Sequence, residues 1–198
     1  GQTRNEETLV ASLRPVRIVA DDQEIPDNFT NFGVYIGAAQ LGATAVETLP
    51  DGGKIEGVLS LPNIGVYKGV VLGSFPFNVG LGYGHRGYSL KFGSYESTFI
   101  ANYLDLMVGS GYPIGPVNLT GTFLYGISLG SGKIEENGSE IDYPDEDFGE
   151  FPDYGLIFGV NYPVNESISV DAGYYLGLAE VDDAFKFNGI TFSLGYRF

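Results

Sequence analysis

The chain has 198 residues, enough for one domain with its own core, and a formal charge of −15 that argues against a nucleic-acid partner, since phosphate contacts need clustered Lys and Arg. Cysteine is absent and histidine occurs once, which excludes disulfides, thiolate metal sites and most catalytic or zinc arrangements. Thirty glycines with 14 Tyr and 14 Phe favour strands and tight turns over helices, and no apolar run reaches the roughly 18–20 residues of a membrane helix.

Residues 1–30 have little Gly and no two-residue period. Asn5 can cap a short helix with Glu6 and Glu7 in its first turn, Arg14 in its last and Pro15 as its stop. So short a helix is marginal alone, and the segment reads as a partly disordered N-terminal extension. The opening residues carry no signal-peptide pattern and read as mature chain.

From Asn31 eight strands are expected, each with side chains alternating between two faces. The first sets Phe32, Val34, Ile36 and Ala38 against Gly33, Tyr35, Gly37 and Ala39. The second, near 64–73, sets Ile64, Val66, Val70 and Leu72 against Gly65, Tyr67, Gly69 and Gly73, with Lys68 breaking the apolar face. The third opens at Phe77 and alternates through Tyr83, then loses phase at His85–Gly87, where a bulge is expected. The fourth sets Leu104, Leu106 and Val108 against Tyr103, Asp105 and Met107, and the fifth sets Leu119, Phe123, Tyr125 and Ile127 against Thr120, Thr122, Gly126 and Ser128. The sixth runs over Tyr154–Tyr162 and the seventh over Ile168–Leu178. The eighth, Gly189–Phe198, alternates without a slip: Ile190, Phe192, Leu194, Tyr196 and Phe198 on one face, Thr191, Ser193, Gly195 and Arg197 on the other.

The expected connections alternate in length. Long links at 44–62, 93–98, 131–153 and 180–188 are interleaved with short ones at 74–76, 112–116 and 163–167, each short one holding Pro beside an aromatic: Phe75-Pro76, Tyr112-Pro113, Tyr162-Pro163. The four longer links hold sixteen acids, Asp153 among them, against four lysines, so most negative charge falls on one rim. A soluble sandwich or lipocalin-like carrier gives no reason for this asymmetry, nor for a second face made of Gly, Tyr and hydroxyls. An outer-membrane barrel does, with short periplasmic turns, longer external loops, an apolar outside and a polar lumen. The expected fold is all-β: an eight-stranded antiparallel up-and-down transmembrane β-barrel over residues 31–198. Closure of the last strand on the first would remove every sheet edge. The termini are expected to be periplasmic and the long loops extracellular.

Asn102-Tyr103-Leu104-Asp105-Leu106, the strand Tyr154–Val160, Ser169–Gly177 and the closing Phe192-Ser193-Leu194-Gly195-Tyr196-Arg197-Phe198 resemble small outer-membrane β-barrel domains, in particular the PorT-like family of Bacteroidota. The resemblance implies an outer-membrane location and, as in some family members, a part in protein secretion or assembly. Phe192, Leu194, Tyr196 and Phe198 resemble the C-terminal signal read by the barrel-assembly machinery, which is then a partner. Outer-membrane lipid and lipopolysaccharide are the other expected partners, with another outer-membrane or periplasmic protein as the one that defines the role.

Asp105, Asp171 and Arg197 all fall on the expected lumen face and are read as one ion-pair network, with Tyr35, Tyr67, Tyr103 and Tyr175 lying across the lumen in room left by Gly. Eight strands enclose a space that side chains fill, so little conductance is expected, with a narrow channel as the alternative. His85, beside Arg86, has no second catalytic residue at a suggestive spacing; no catalytic residue and no cofactor are assigned, and a lipid-modifying enzyme is the less favoured reading. Asp145, Asp147 and Glu150 carry hard oxygen ligands suited to a weak divalent cation but lack EF-hand spacing, so they read as a solvated loop or one bridged by cations to lipopolysaccharide.

Overall fold

The computed structural model describes residues 27, 29–45, 53–141, 152–180 and 185–198. Nine strands follow in chain order: β1 (Phe32–Ala45), β2 (Lys54–Leu72), β3 (Phe75–Phe92), β4 (Tyr95–Ile114), β5 (Val117–Glu136), β6 (Ser139–Ile141), β7 (Asp153–Pro163), β8 (Ile168–Gly177) and β9 (Phe185–Arg197). All pairings are antiparallel. Eight strands close into a ring in the order β1-β2-β3-β4-β5-β7-β8-β9, and β6 is a short return on the projecting end of β5. No helix occurs among the described residues.

The seam forms between first and last strands without a register shift, from Gly33 opposite Arg197 to Ala45 opposite Phe185. The chain end continues it: the Phe198 amide donates to the Phe32 carbonyl at 3.0 Å, and Asn31 Nδ2 donates to the Phe198 carbonyl at 2.5 Å. A closed ring has no edge strand left to template aggregation.

The ring is apolar outside. Phe192 is 57% exposed and Phe198 65%, while Tyr103 and Tyr175 inside the ring are 1% and 2% exposed. A water-soluble sandwich would reverse this order, because exposed apolar area of this extent is stable only against lipid or a partner. Lys68, the outward cation on β2, sits near the short-turn rim with its ammonium 4.6 Å from the Phe32 ring centre. From there its head reaches the interface while its stem stays in the apolar band.

Three expectations are corrected. The expected link at 44–62 is strand from Lys54 onward, and that at 93–98 is a two-residue turn, Gly93-Ser94. Beyond the bilayer both faces of a hairpin meet water, so apolar alternation stops there while backbone pairing continues. The asymmetry between rims is therefore one of strand projection more than of loop length: β5 runs from Gly126, its last partner in β7, to Glu136. Its return to β6 uses Asn137 (φ 49°) and Gly138 (φ 78°), the two positive-φ positions of a type I′ hairpin.

The expected bulge in β3 is absent, since β3 pairs with β4 in unbroken register from Asn78–Gly109 to Phe92–Tyr95. The loss of phase records a chemical change on a regular strand: Arg86 turns into the lumen and His85 out of it. The irregularities lie in β2, between Gly57 and Ile64 against β3, and in β5 opposite Ala101–Tyr103. Pro62 falls within the β2 break, where a residue without an N–H is tolerated.

Candidate functional site

The lumen is filled in layers by the inward residues of alternating strands. Toward the projecting rim, Phe187, Leu41, Leu124 and Tyr175 form an apolar cluster joined by Tyr88, Met107 and Ile157. Tyr88 and Phe187 rings lie 6.4 Å apart.

A charged layer is centred on Arg86 of β3. Its Nη2 donates to Asp105 Oδ1 at 2.7 Å, and its Nε donates to Asp153 Oδ2. The guanidinium lies 4.3 Å from the Tyr103 ring centre and 5.9 Å from that of Tyr175, whose hydroxyl donates to Asp153 Oδ2 at 2.7 Å. Arg86 and Asp153 are 3% and 0% exposed, so these charges persist only because each has partners. Asp153 Oδ1 alone lacks a partner among the described residues. Below this layer Tyr35 reaches across the lumen to Met107 Sδ, 3.8 Å from its hydroxyl.

A second polar layer sits near the short-turn rim. Arg197 Nη2 donates to Asn78 Oδ1 at 3.1 Å, and its guanidinium lies 5.2 Å from the Tyr67 ring centre. Asp171 accepts from Asn161 Nδ2 at 2.9 Å and from the Ser169 hydroxyl at 3.4 Å, and Asn118 donates to Asn161. Phe29, ahead of β1, closes the mouth: its carbonyl accepts from Arg197 Nη1 at 3.0 Å and its ring centre is 5.0 Å from the guanidinium.

The expected single network is thus two separate layers. Asp105 pairs with Arg86, not with Arg197, and Asp171 and Arg197 make no ion pair with each other. Asp153, expected on the acidic rim, is a lumen residue at the start of β7. Arg86 and Asp153 were legible by parity: Arg86 follows Gly82 and Gly84 at steps of two, and Asp153 precedes Gly155 by two.

The projecting hairpins are held by exposed ion pairs. Lys91 lies 2.8 Å from Glu56 and 3.4 Å from Glu96, and Lys133 lies 2.8 Å from Glu140. The hydrogen bond from Lys91 holds Glu56 below the usual glutamate range, and the same bond with Glu140 holds Lys133 above the usual lysine range. The Asp145, Asp147 and Glu150 set lies outside the described residues. Among those that are described, no group of three or more His, Asp or Glu is placed to hold a metal ion.

His85 faces outward. Its Nδ1 lies 2.7 Å from Asn102 Oδ1, and Asn102 Nδ2 donates to the Ser131 hydroxyl at 2.9 Å. The chain of bonds joins three strands on the outer wall, with Asn102 between the other two.

A closed antiparallel ring, greasy outside and charged within, is a transmembrane β-barrel. The chain belongs to the outer membrane protein beta-barrel domain family, whose model matches residues 24–198, and so to the bacterial outer membrane. No curated protein matches the sequence. Among solved structures, Neisserial surface protein A is similar at 16% identity, with 84% of this chain and 97% of that one covered and a TM-score of 0.54. Ail, the attachment invasion locus protein of Yersinia pestis, solved with the heparin analogue sucrose octasulfate, is similar at 17% identity over 85% and 98% of the two chains, with a TM-score of 0.49. At such identities the likeness is one of fold. Both are eight-stranded outer-membrane barrels.

Proposed function

We propose that the chain is a non-conducting, non-enzymatic outer-membrane barrel that anchors a projecting, acid-rich hairpin wall for contact with a partner protein of a secretion or assembly complex. The observation that carries this reading is the double filling of the lumen, by the Arg86 layer and the Arg197 layer, with apolar side chains above and Phe29 below. A pore needs a wet, continuous path, and each of these layers interrupts one. What is left to do work is outside the ring: long β2–β5 hairpins, and acidic connections that the sequence places on the same rim.

In this reading the short-turn rim and both termini are periplasmic, and the projecting wall is extracellular. Residues 1–30 are a periplasmic extension whose end, at Phe29, docks in the barrel mouth. The resemblance to PorT-like barrels supports secretion or assembly as the partner class, and assembly-machinery recognition of Phe192, Leu194, Tyr196 and Phe198 follows from their place on the closing strand.

The test is crosslinked co-purification from native outer membranes. A stoichiometric partner, lost when Glu135, Glu136 and Glu140 are together changed to Lys, is expected. Large, steady single-channel currents from the pure protein in planar bilayers, or a membrane population with no partner at all, would overturn the proposal.

A further inference from the structure

On the outer wall, where the register of β2 breaks against β3, a groove of about 430 Å³ crosses β2 to β5. That volume lies in the range of small-molecule sites. Its walls include Leu59, Leu61 and Ile100, and the polar face is the bonded row His85–Asn102 continued by Lys133.

The height of the groove is set by sequence. Outward residues of β3 run Phe77, Val79, Leu81 and Tyr83 before His85, and those of β4 run Val108, Leu106 and Leu104 before Asn102. The polar row therefore begins where the apolar belt ends, at the level of lipid carbonyl and phosphate groups. An independent feature points into the same place. Ser60 lines the groove, is 3% exposed, and its hydroxyl has no hydrogen-bond partner among the described residues. A buried hydroxyl left so is costly unless a ligand or water meets it.

The donor and acceptor inventory selects the ligand. The Asn102 amide nitrogen is committed to Ser131, so its oxygen accepts from His85 Nδ1, and neutral His85 presents Nε2 as an acceptor. Glu140 adds a carboxylate beside the single cation, Lys133; their side chains are 59% and 55% exposed, so the pair can exchange partners at little cost. A purely anionic headgroup would satisfy Lys133 but face Glu140. A head with both signs satisfies both.

We propose that this groove is a specific site for a phospholipid with a phosphoethanolamine headgroup. Its phosphate binds Lys133, its ammonium binds Glu140 and the His85 acceptor, and its first acyl carbons lie against Leu59, Leu61 and Ile100. The site rests on the membrane-embedded reading of the barrel, though not on its having a partner or a closed lumen.

The experiment delipidates the full-length protein, refolds it, and counts retained lipid by native mass spectrometry with phosphatidylethanolamine, phosphatidylglycerol or phosphatidylcholine of matched chains. One copy of phosphatidylethanolamine per barrel is expected, retained about 10-fold over the other two, a difference equivalent to about 1.4 kcal/mol. Ile100→Trp, which fills the groove from an outward position, and Lys133→Ala, which touches no packing, are each expected to abolish that preference. Heat-modifiable gel mobility verifies that both fold. Equal retention of the three lipids (an annular shell only), preference for phosphatidylglycerol, or a preference surviving both substitutions would overturn the site. A conducting or partnerless barrel that still selects phosphatidylethanolamine would sink the proposed function and leave this site standing.

Discussion

Arg86 of β3 and Asp105 of β4 meet at 2.7 Å inside the barrel, and the same guanidinium reaches Asp153 from β7 across the lumen. One cation thus ties strands from both sides of the ring. Two carboxylates share one guanidinium, and Tyr175 supplies a further donor to Asp153. Such a cluster specifies which strands face each other, while its removal in part is punished more than its removal as a whole.

Arg86→Ala is expected to destabilise the folded barrel by about 3–5 kcal/mol, because two buried carboxylates lose their counter-charge. Changing Arg86→Met together with Asp105→Asn and Asp153→Asn should recover most of that loss. Urea unfolding in lipid vesicles, followed by tyrosine fluorescence, measures both. A single variant as stable as wild type would show that the layer is not what holds the lumen.

Leu194 is 50% exposed on the outer face of the closing strand, whereas Ser193, its neighbour, points inward. Leu194→Arg is expected to cost about 2–4 kcal/mol if the position lies near the bilayer midplane, and Ser193→Ala less than about 1 kcal/mol. Refolding yield into vesicles and equilibrium unfolding give the comparison. Equal costs would place the outer face away from lipid.

Gly138 holds φ at 78° in the turn between β5 and β6. Gly138→Val is expected to disfavour that turn by about 1–2 kcal/mol, since a β-branched residue resists the left-handed region. The β5–β6 pairing lies outside the closed ring, so the effect should be local. Hydrogen exchange at Ile134–Glu136 should accelerate while global unfolding stays unchanged.

Glu56, at the projecting rim, is held below the usual glutamate range first by its hydrogen bond from Lys91. A depressed folded-state value means that the stabilisation is present above the unfolded value and is lost as pH falls through the folded one. The carboxylate is solvent-exposed, so the effect on stability is screened and small. Carbon-detected NMR titration should find the Glu56 midpoint below that of an ordinary glutamate. In Lys91→Ala it should return to the ordinary range.

Much of this protein was written in its alternation. Side chains on a strand point to opposite faces by geometry alone, so Phe192, Leu194 and Tyr196 could be assigned outward and Tyr35, Tyr103, Asp105 and Tyr175 inward before any pairing was known. The even strand count and the Pro-aromatic rim at Phe75-Pro76, Tyr112-Pro113 and Tyr162-Pro163 followed from the same local rules. Only the tertiary structure decided which inward charges meet. Asp105, Asp171 and Arg197 share a face, yet their heights along the barrel are set by register and strand tilt, which are properties of the closed ring. That closure puts Asp105 level with Arg86, Asp171 level with Asn161, and Arg197 beneath Asn78 and Phe29. It likewise sets His85, Asn102 and Ser131 in one row on the outer wall. Parity along a strand is local and can be read from residues, whereas neighbourhood across strands is created by pairing.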